Sequence, residues 1–373
     1  MGPLRQAVPQ SPGPHSLHRI ASEEDVGAVR RAAGRLRLDD AIGPPGGVVH
    51  GQAEQRAADA LLVATELASN VLRHAGGGYV LLRELEPGVE LIAVDAGRGI
   101  DRLTLARLAE PLTDPPALPS AEPGAGLGVG LAAVRRRASE FDVYTRAGGG
   151  SVVLARLAPA TDSARLAWGS VNVPLDGGGP SGDACLVMPG EPTIAAVIDG
   201  LGHGPRAAAA SAAAVSALAS DLPTDPESVV ALAHRSMRST RGAVIGACVI
   251  DADAGELSFV GVGNISARLL SDGTGRSMVS HGGTLGTAEA LPAHQVFRYP
   301  WSPGATMILA SDGLRSGWDA MSYPGLLDHD PAVVAAVLHR DFARPGDDAS
   351  VLVLKDRREA DDHSPNEHER SAT

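Results

Sequence analysis

Apolar positions along the chain change their period several times, and each change marks an element. Alternation over residues 15–21 predicts a short strand. Ser22-Glu23-Glu24-Asp25 then supplies an N-cap with acids in the first turn. A helix follows through Arg37, with Val26, Val29, Ala33 and Leu36 on one face. A second helix is predicted over residues 53–74. It ends at Gly76-Gly77-Gly78, a C-cap signal, ahead of strands at 79–84 and 89–95. Helical spacing returns over 127–140 and alternation over 151–157, which together predict an α+β sandwich.

Regular alternation stops near Ala158 to Asp162, and a strand-rich half begins. Strands are predicted at 164–173, 184–188, 193–199, 243–251, 256–262, 267–271, 307–311 and 350–354, with helices at 206–219, 226–238 and 332–341. The expected organisation is a domain over 15–158, a second over 163–356, and disordered tails at 1–14 and 357–373. The first tail is rich in Pro and Gly, and the last is almost wholly polar, too poor in apolar surface to offset the entropy of ordering it.

Composition sharpens this picture in three ways. A length of 373 residues exceeds what one core usually organises, which agrees with two domains. Aromatic residues make up only 3% against 44% apolar overall, so Val, Leu, Ala and Ile must fill the cores. A net charge of −12 argues against nucleic acid as a partner and leaves a protein or an isolated nucleotide. No run approaches the ~18 apolar residues of a membrane span, and no secretory h-region opens the chain, so a cytoplasmic protein without membrane contact is expected. Cys185 and Cys248 lie in apolar runs, where a thiol acts as a small hydrophobe.

Four short acidic motifs carry the chemistry of the second half: Ser181-Gly182-Asp183, Asp199-Gly200-Leu201-Gly202-His203-Gly204, Ser311-Asp312-Gly313 and Gly346-Asp347-Asp348. Each alone reads as a turn. Three of them, however, end apolar strands, where a carboxylate is costly unless paired or metal-bound. Several such edges converging would form an oxygen-rich site selecting Mg²⁺ or Mn²⁺ over zinc. From about Leu166 to Lys355 the sequence resembles the SpoIIE/PPM protein serine/threonine phosphatases, most specifically at Asp199 to Gly204. The resemblance implies a PPM-type α-β-β-α sandwich and two Mn²⁺ or Mg²⁺ ions. Asp199 would bridge them, the Gly200 carbonyl would bind one, and Asp312 and Asp347 would complete the second site. Asp183 would hold metal-bound water. Asp347 is favoured over Asp348, which sits closer to the strand start. His203 is either a general acid or a residue that only shapes the loop or contacts substrate phosphate. Small residues at Gly261-Val262-Gly263-Asn264 would let backbone pass close to the metal floor.

In the first half, Glu66 and Asn70 are four residues apart and share a helix face. Asp95-Ala96-Gly97-Arg98-Gly99 follows a strand, and Gly124-Ala125-Gly126-Leu127-Gly128-Val129-Gly130 enters a helix. Such a Gly-rich entry either cradles phosphates with backbone N–H groups or is a flexible connector. Arg135-Arg136-Arg137 beyond it is a solvated face or a contact for an acidic group. From about Ile20 to Leu157 the order and spacing resemble the GHKL (Bergerat) ATP-binding fold, specifically RsbT-type serine kinases acting on anti-anti-sigma (STAS) proteins. The resemblance implies that Asn70 binds Mg²⁺, Glu66 is the base, Asp95 reads adenine, Gly97, Gly99, Gly126, Gly128 and Gly130 bind ATP, and residues 101–123 form its lid.

One polypeptide with opposed activities is therefore expected, a kinase and a phosphatase acting on a STAS partner in partner-switching control of transcription. A sigma factor would be a further partner. In the alternative, the first half binds ATP without transferring phosphate and gates the phosphatase or holds the sigma factor. A third reading has both halves degenerate in a scaffold, against which Glu66, Asn70, Asp199 and Asp312 speak.

Overall fold

A computed structural model describes residues 9–36, 49–110, 127–159 and 165–357, with the backbone alone described at 49–53 and 127–128. The first half comprises β1 (Ser16–Ile20), α1 (Glu23–Ala33), α2 (Val49–Asn70), β2 (Gly78–Leu85), β3 (Gly88–Val94), α3 (Arg102–Ala109), α4 (Leu127–Arg137), β4 (Glu140–Arg146) and β5 (Gly150–Leu157). Ser22 caps α1 in a capping box with Asp25. The strands form one antiparallel sheet in the order β1-β2-β3-β5-β4. Val80, Leu82, Leu91 and Ala155 face the helices, where Val29, Ala64, Leu67 and Val134 cover them.

The second half comprises β6 (Leu166–Val173), β7 (Asp183–Met188), β8 (Thr193–Gly200), α5 (Pro205–Asp221), α6 (Pro226–Ser236), β9 (Ala243–Asp251), β10 (Glu256–Val262), β11 (Ser266–Ser271), β12 (Thr274–Ser277), β13 (Val296–Pro300), β14 (Thr306–Ala310), α7 (Pro331–Phe342) and β15 (Ala349–Asp356). Two sheets, β13-β10-β9-β8-β7 and β12-β11-β14-β15-β6, enclose a core that includes Val197, Cys248, Phe259, Met307 and Leu352. Helices α5 and α6 cover the outer face of the first sheet, and α7 covers the second. The chain is thus an α+β protein in which an α-β-β-α sandwich follows a helix-covered sheet. Both cysteines are buried and unpaired, and burial pushes each thiol up to about 12. No helix of the described residues is long and apolar enough to cross a membrane.

Several sequence expectations need correction. The expected lid segment opens with a helix that the apolar pattern did not mark, α3, capped by Asp101 through Leu103 N and Thr104 N. The helix expected to reach residue 140 stops at Arg137, and strand β4 begins at Glu140, because Glu140–Arg146 pairs with β5. Strands β12 and β13 went unread because their side chains are largely exposed, so no apolar alternation marks them. Residues 10 and 11 of the expected N-terminal tail are bonded to β7. Gln10 exchanges backbone bonds with Val187, and Ser11 donates to Cys185 O at 2.8 Å. Residues 111–126, with Gly126 and most of the expected lid, lie outside the described residues, as do 1–8 and 358–373.

A buried joint holds the halves together. The second face of the first sheet, with Leu81, Ile92, Val94, Val152 and Leu154, packs on α7, which is therefore clamped between two sheets and apolar almost all round. Glu90, fully buried on the central strand β3, accepts from Arg83, from Arg156 at 2.7 Å and from His15 at 3.1 Å. Burial opposes its charge, but Arg83 and Arg156 outweigh burial and hold the carboxyl well below its usual range. Arg156 also bonds Asp330, the N-cap of α7, at 2.8 and 3.0 Å. From β4, Asp142 accepts from Asp330 N at 2.7 Å and pairs with His329 at 2.8 Å.

Candidate functional site

The acidic motifs converge at one end of the sandwich. Asp183 and Asp199 are direct cross-strand partners on β7 and β8, a like-charge pair that a sheet does not ordinarily tolerate. Asp312 follows β14, and Asp347 precedes β15, its antiparallel neighbour. The two loops touch so closely that a Cβ on Gly313 would lie 1.9 Å from Asp348 O. Both Asp183 and Asp199 have raised pKa values. Burial is the main cause for each, reinforced at Asp199 by Asp183, Asp312 and Asp347, and at Asp183 by Asp348 and Asp347. Burial, then Asp312, likewise raises Asp347. Buried carboxylates that repel one another in this way suit a hard divalent cation, which would neutralise them. Among the described residues no three acidic, His or Cys groups already close into a cage. Asp183 instead accepts from Ser311 Oγ at 2.6 Å.

The other expected residues divide by what they touch. Asp348 does not face the cluster freely; its two oxygens accept from Leu175 N and Gly182 N, each at 2.7 Å, which ties three loops together. Gly200 donates its N–H to Gly182 O at 3.0 Å. His203 is exposed in the loop before α5. Sequence reasoning gave no chemical role to Asn264, whose amide donates to Asp312 Oδ2 at 2.7 Å. Its position directly after Gly261-Val262-Gly263 was the available signal. Ser311, which enters the sequence motif only as the neighbour of Asp312, bonds Asp183 and accepts from Ser350 N at 3.0 Å.

The first-half residues meet at the ends of α2 and α4. A Cβ on Gly130 would lie 2.6 Å from Glu66 Oε2 and 3.5 Å from the Asn70 amide, so the glycine makes room for both. Among the described residues the Asn70 Nδ2 group is buried with no hydrogen-bond partner, as expected of a polar group that meets a ligand. Beyond Asn70 the helix widens into a π turn over Val71–Ala75 and ends at left-handed Gly76. Asn70, Asp95, Gly99, Leu131 and Ser151 line one narrow pocket. That pocket shares His74, Gly99 and Ile100 with a wider mouth of about 620 Å³. Arg98, Arg102 and Arg107 make this mouth basic. Asp95 accepts from Gly97 N at 2.8 Å, and burial raises its pKa. Gly128 lies in the first turn of α4. The arginine run is not simply solvated, since Arg135 donates to Glu110 O at 2.6 Å and Arg137 pairs with Asp59 at 3.1 Å. A cavity of about 1040 Å³ lies at the joint and includes none of the expected site residues.

Residues 189–357 match the family model of Stage II sporulation protein E (SpoIIE). Residues 56–161 match that of the histidine kinase-, DNA gyrase B- and HSP90-like ATPases. The chain therefore carries an ATPase-family domain followed by a phosphatase domain of the SpoIIE, PPM-type family. Among solved structures, one from work on the bacterial stressosome is 28% identical, covering 51% of this chain and 98% of its own, with a TM-score of 0.47. RsbX in complex with magnesium is 21% identical over 52% of this chain and 97% of its own, with a TM-score of 0.46. The phosphatase domain and part of the regulatory domain of SpoIIE from Bacillus subtilis is 17% identical over 89% of this chain and 93% of its own, with a TM-score of 0.44. No curated protein matches the sequence.

Proposed function

We infer that the protein is a metal-dependent protein serine/threonine phosphatase joined to an ATP-dependent serine kinase, both acting on a STAS-type partner in partner switching. The observation that carries the phosphatase is the cluster of Asp183, Asp199, Asp312 and Asp347 at one sheet end, within or beside the span matching the SpoIIE family. Asp199, the Gly200 carbonyl, Asp312 and Asp347 would hold two Mn²⁺ or Mg²⁺ ions, which supply a lowered water pKa and a clamp for the phosphoryl group. Asp183, fixed by Ser311, orients the attacking water. Asn264 aims Asp312, and Asp348 braces the surrounding loops.

In the other half, Asn70 would hold Mg²⁺ with ATP through its amide oxygen, and the space that Gly130 leaves beside Asn70 and Glu66 supports that role. Glu66 stands beside it to take the proton of the incoming serine hydroxyl, Asp95 accepts from the adenine amine, and the loop through Gly126, Gly128 and Gly130 offers N–H groups to the phosphates. The deciding experiment is a phosphorylation and dephosphorylation time course on STAS proteins encoded in the same genome. ATP should yield phosphoserine or phosphothreonine, and Mn²⁺ should drive its removal. An Asp199→Ala protein that still hydrolysed the phosphoprotein would sink the phosphatase assignment.

A further inference from the structure

By sequence α7 belongs to the phosphatase half, yet its last turn reaches the nucleotide pocket of the other half. Arg340, with a side chain only 9% exposed, donates from Nη1 to the main-chain oxygen of Asp95 across 3.2 Å. The guanidinium is held in place, since Asp341 accepts from its Nε at 2.7 Å and its Nη2 at 2.9 Å. Tyr323 in turn donates to Asp341 at 2.7 Å. The Asp95 main chain also exchanges bonds with Ser151, from N at 3.0 Å and to O at 3.2 Å. Strand β5 thus fixes Asp95 from one side and α7 from the other. The positive charge of Arg340 further favours the ionised Asp95 carboxylate against burial, and only that form accepts without competition from a base amine.

We propose that Arg340 is a positioning residue for the nucleotide site, holding Asp95 from the phosphatase side so that its carboxylate meets the exocyclic amine of adenine. The nucleotide pocket is then incomplete without the phosphatase half, a reason for the two to share one chain. The proposal rests on Asp95 being the base reader.

The test is equilibrium competition of ATP and GTP against a fluorescent ATP analogue on the full chain. Arg340→Ala should weaken ATP about tenfold while GTP changes little, so the ATP/GTP ratio collapses. Arg340→Lys should retain most of the ratio. Tyr79→Phe removes the 3.2 Å bond of the hydroxyl to His339 in the same joint but no bond to Arg340 or Asp95, so it should leave the ratio intact. An unchanged ratio in Arg340→Ala, or an equal loss in Tyr79→Phe, would overturn the proposal. Should the alanine variant fail to fold, Arg340→Gln is read by the same criteria. Absence of ATP binding by the parent, or an Asp95→Asn protein with an undiminished ratio, would instead bring down the base-reader assignment, and this proposal with it.

Discussion

The side-chain amide of Asn264 donates a 2.7 Å hydrogen bond to Asp312 Oδ2, across 48 residues of sequence. A neutral donor on the loop after β10 thereby aims a carboxylate from the loop after β14. Outer partners of metal-binding carboxylates commonly set affinity, so Asn264→Ala should raise the Mn²⁺ midpoint for hydrolysis roughly tenfold with little loss at saturating metal. A Mn²⁺ titration of both proteins decides it, and identical midpoints would count against the assigned role.

The like-charge pairing of Asp183 with Asp199 predicts a trade between stability and activity. Without divalent cations, Asp199→Asn relieves repulsion and should unfold about 2–4 °C higher than the parent, while losing hydrolysis. Mn²⁺ should raise the parent's midpoint much more than the variant's, and chelator should reverse it. Thermal scans in Mn²⁺ and in EDTA make the comparison.

Glu66 and Asn70 meet at Gly130 but are given different work. Glu66→Ala should cut phosphate transfer by roughly 100-fold or more while ATP still binds. Asn70→Ala should weaken Mg-ATP binding itself. Radiolabel transfer and nucleotide titration on each variant separate the two effects, and full transfer by both would remove the kinase.

Two buried histidines make the joint sensitive to acid. Burial, then Arg83, lowers His15 to about 4, and burial, then His15, lowers His339 to about 4, against an ordinary 6.5. Neutral His15 suits its surroundings, with Nδ1 accepting from Asn172 N at 3.3 Å and Nε2–H donating to Glu90. Between pH 6.5 and about 4 the unfolded chain binds protons at these two histidines that the native chain refuses, so their contribution to stability falls as pH drops through that window, opposite in sign to that of Asp183, whose raised carboxyl takes up a proton in the native state. Each histidine accounts for a loss on the order of 3 kcal/mol. Urea unfolding of the parent and of His339→Gln at stepped pH should therefore differ in slope by about one proton across this window.

Much of the fold was legible because apolar period reports burial directly. Helix α1 and strands β2, β3, β8, β9 and β15 all show it. Exposed strands β12 and β13 carry no such signal, and β4 was hidden behind a helical spacing that ran too far. Glu66 with Asn70, and Asp199 with its loop, were readable because each depends on local spacing. Asn264, Ser311 and Arg340 were not, because their partners lie 48, 128 and 245 residues away.

The sequence by itself determined two chemistries, a carboxylate set at strand ends and a glycine-rich entry to a helix, since both are written in contiguous residues. Only the tertiary structure decided that Asp348 braces Leu175 and Gly182. It alone decided, too, that α7 lies between two sheets and carries Arg340 to Asp95. A helix buried on every side looks like any apolar helix in sequence. What it touches is settled by packing over distances that no local pattern encodes.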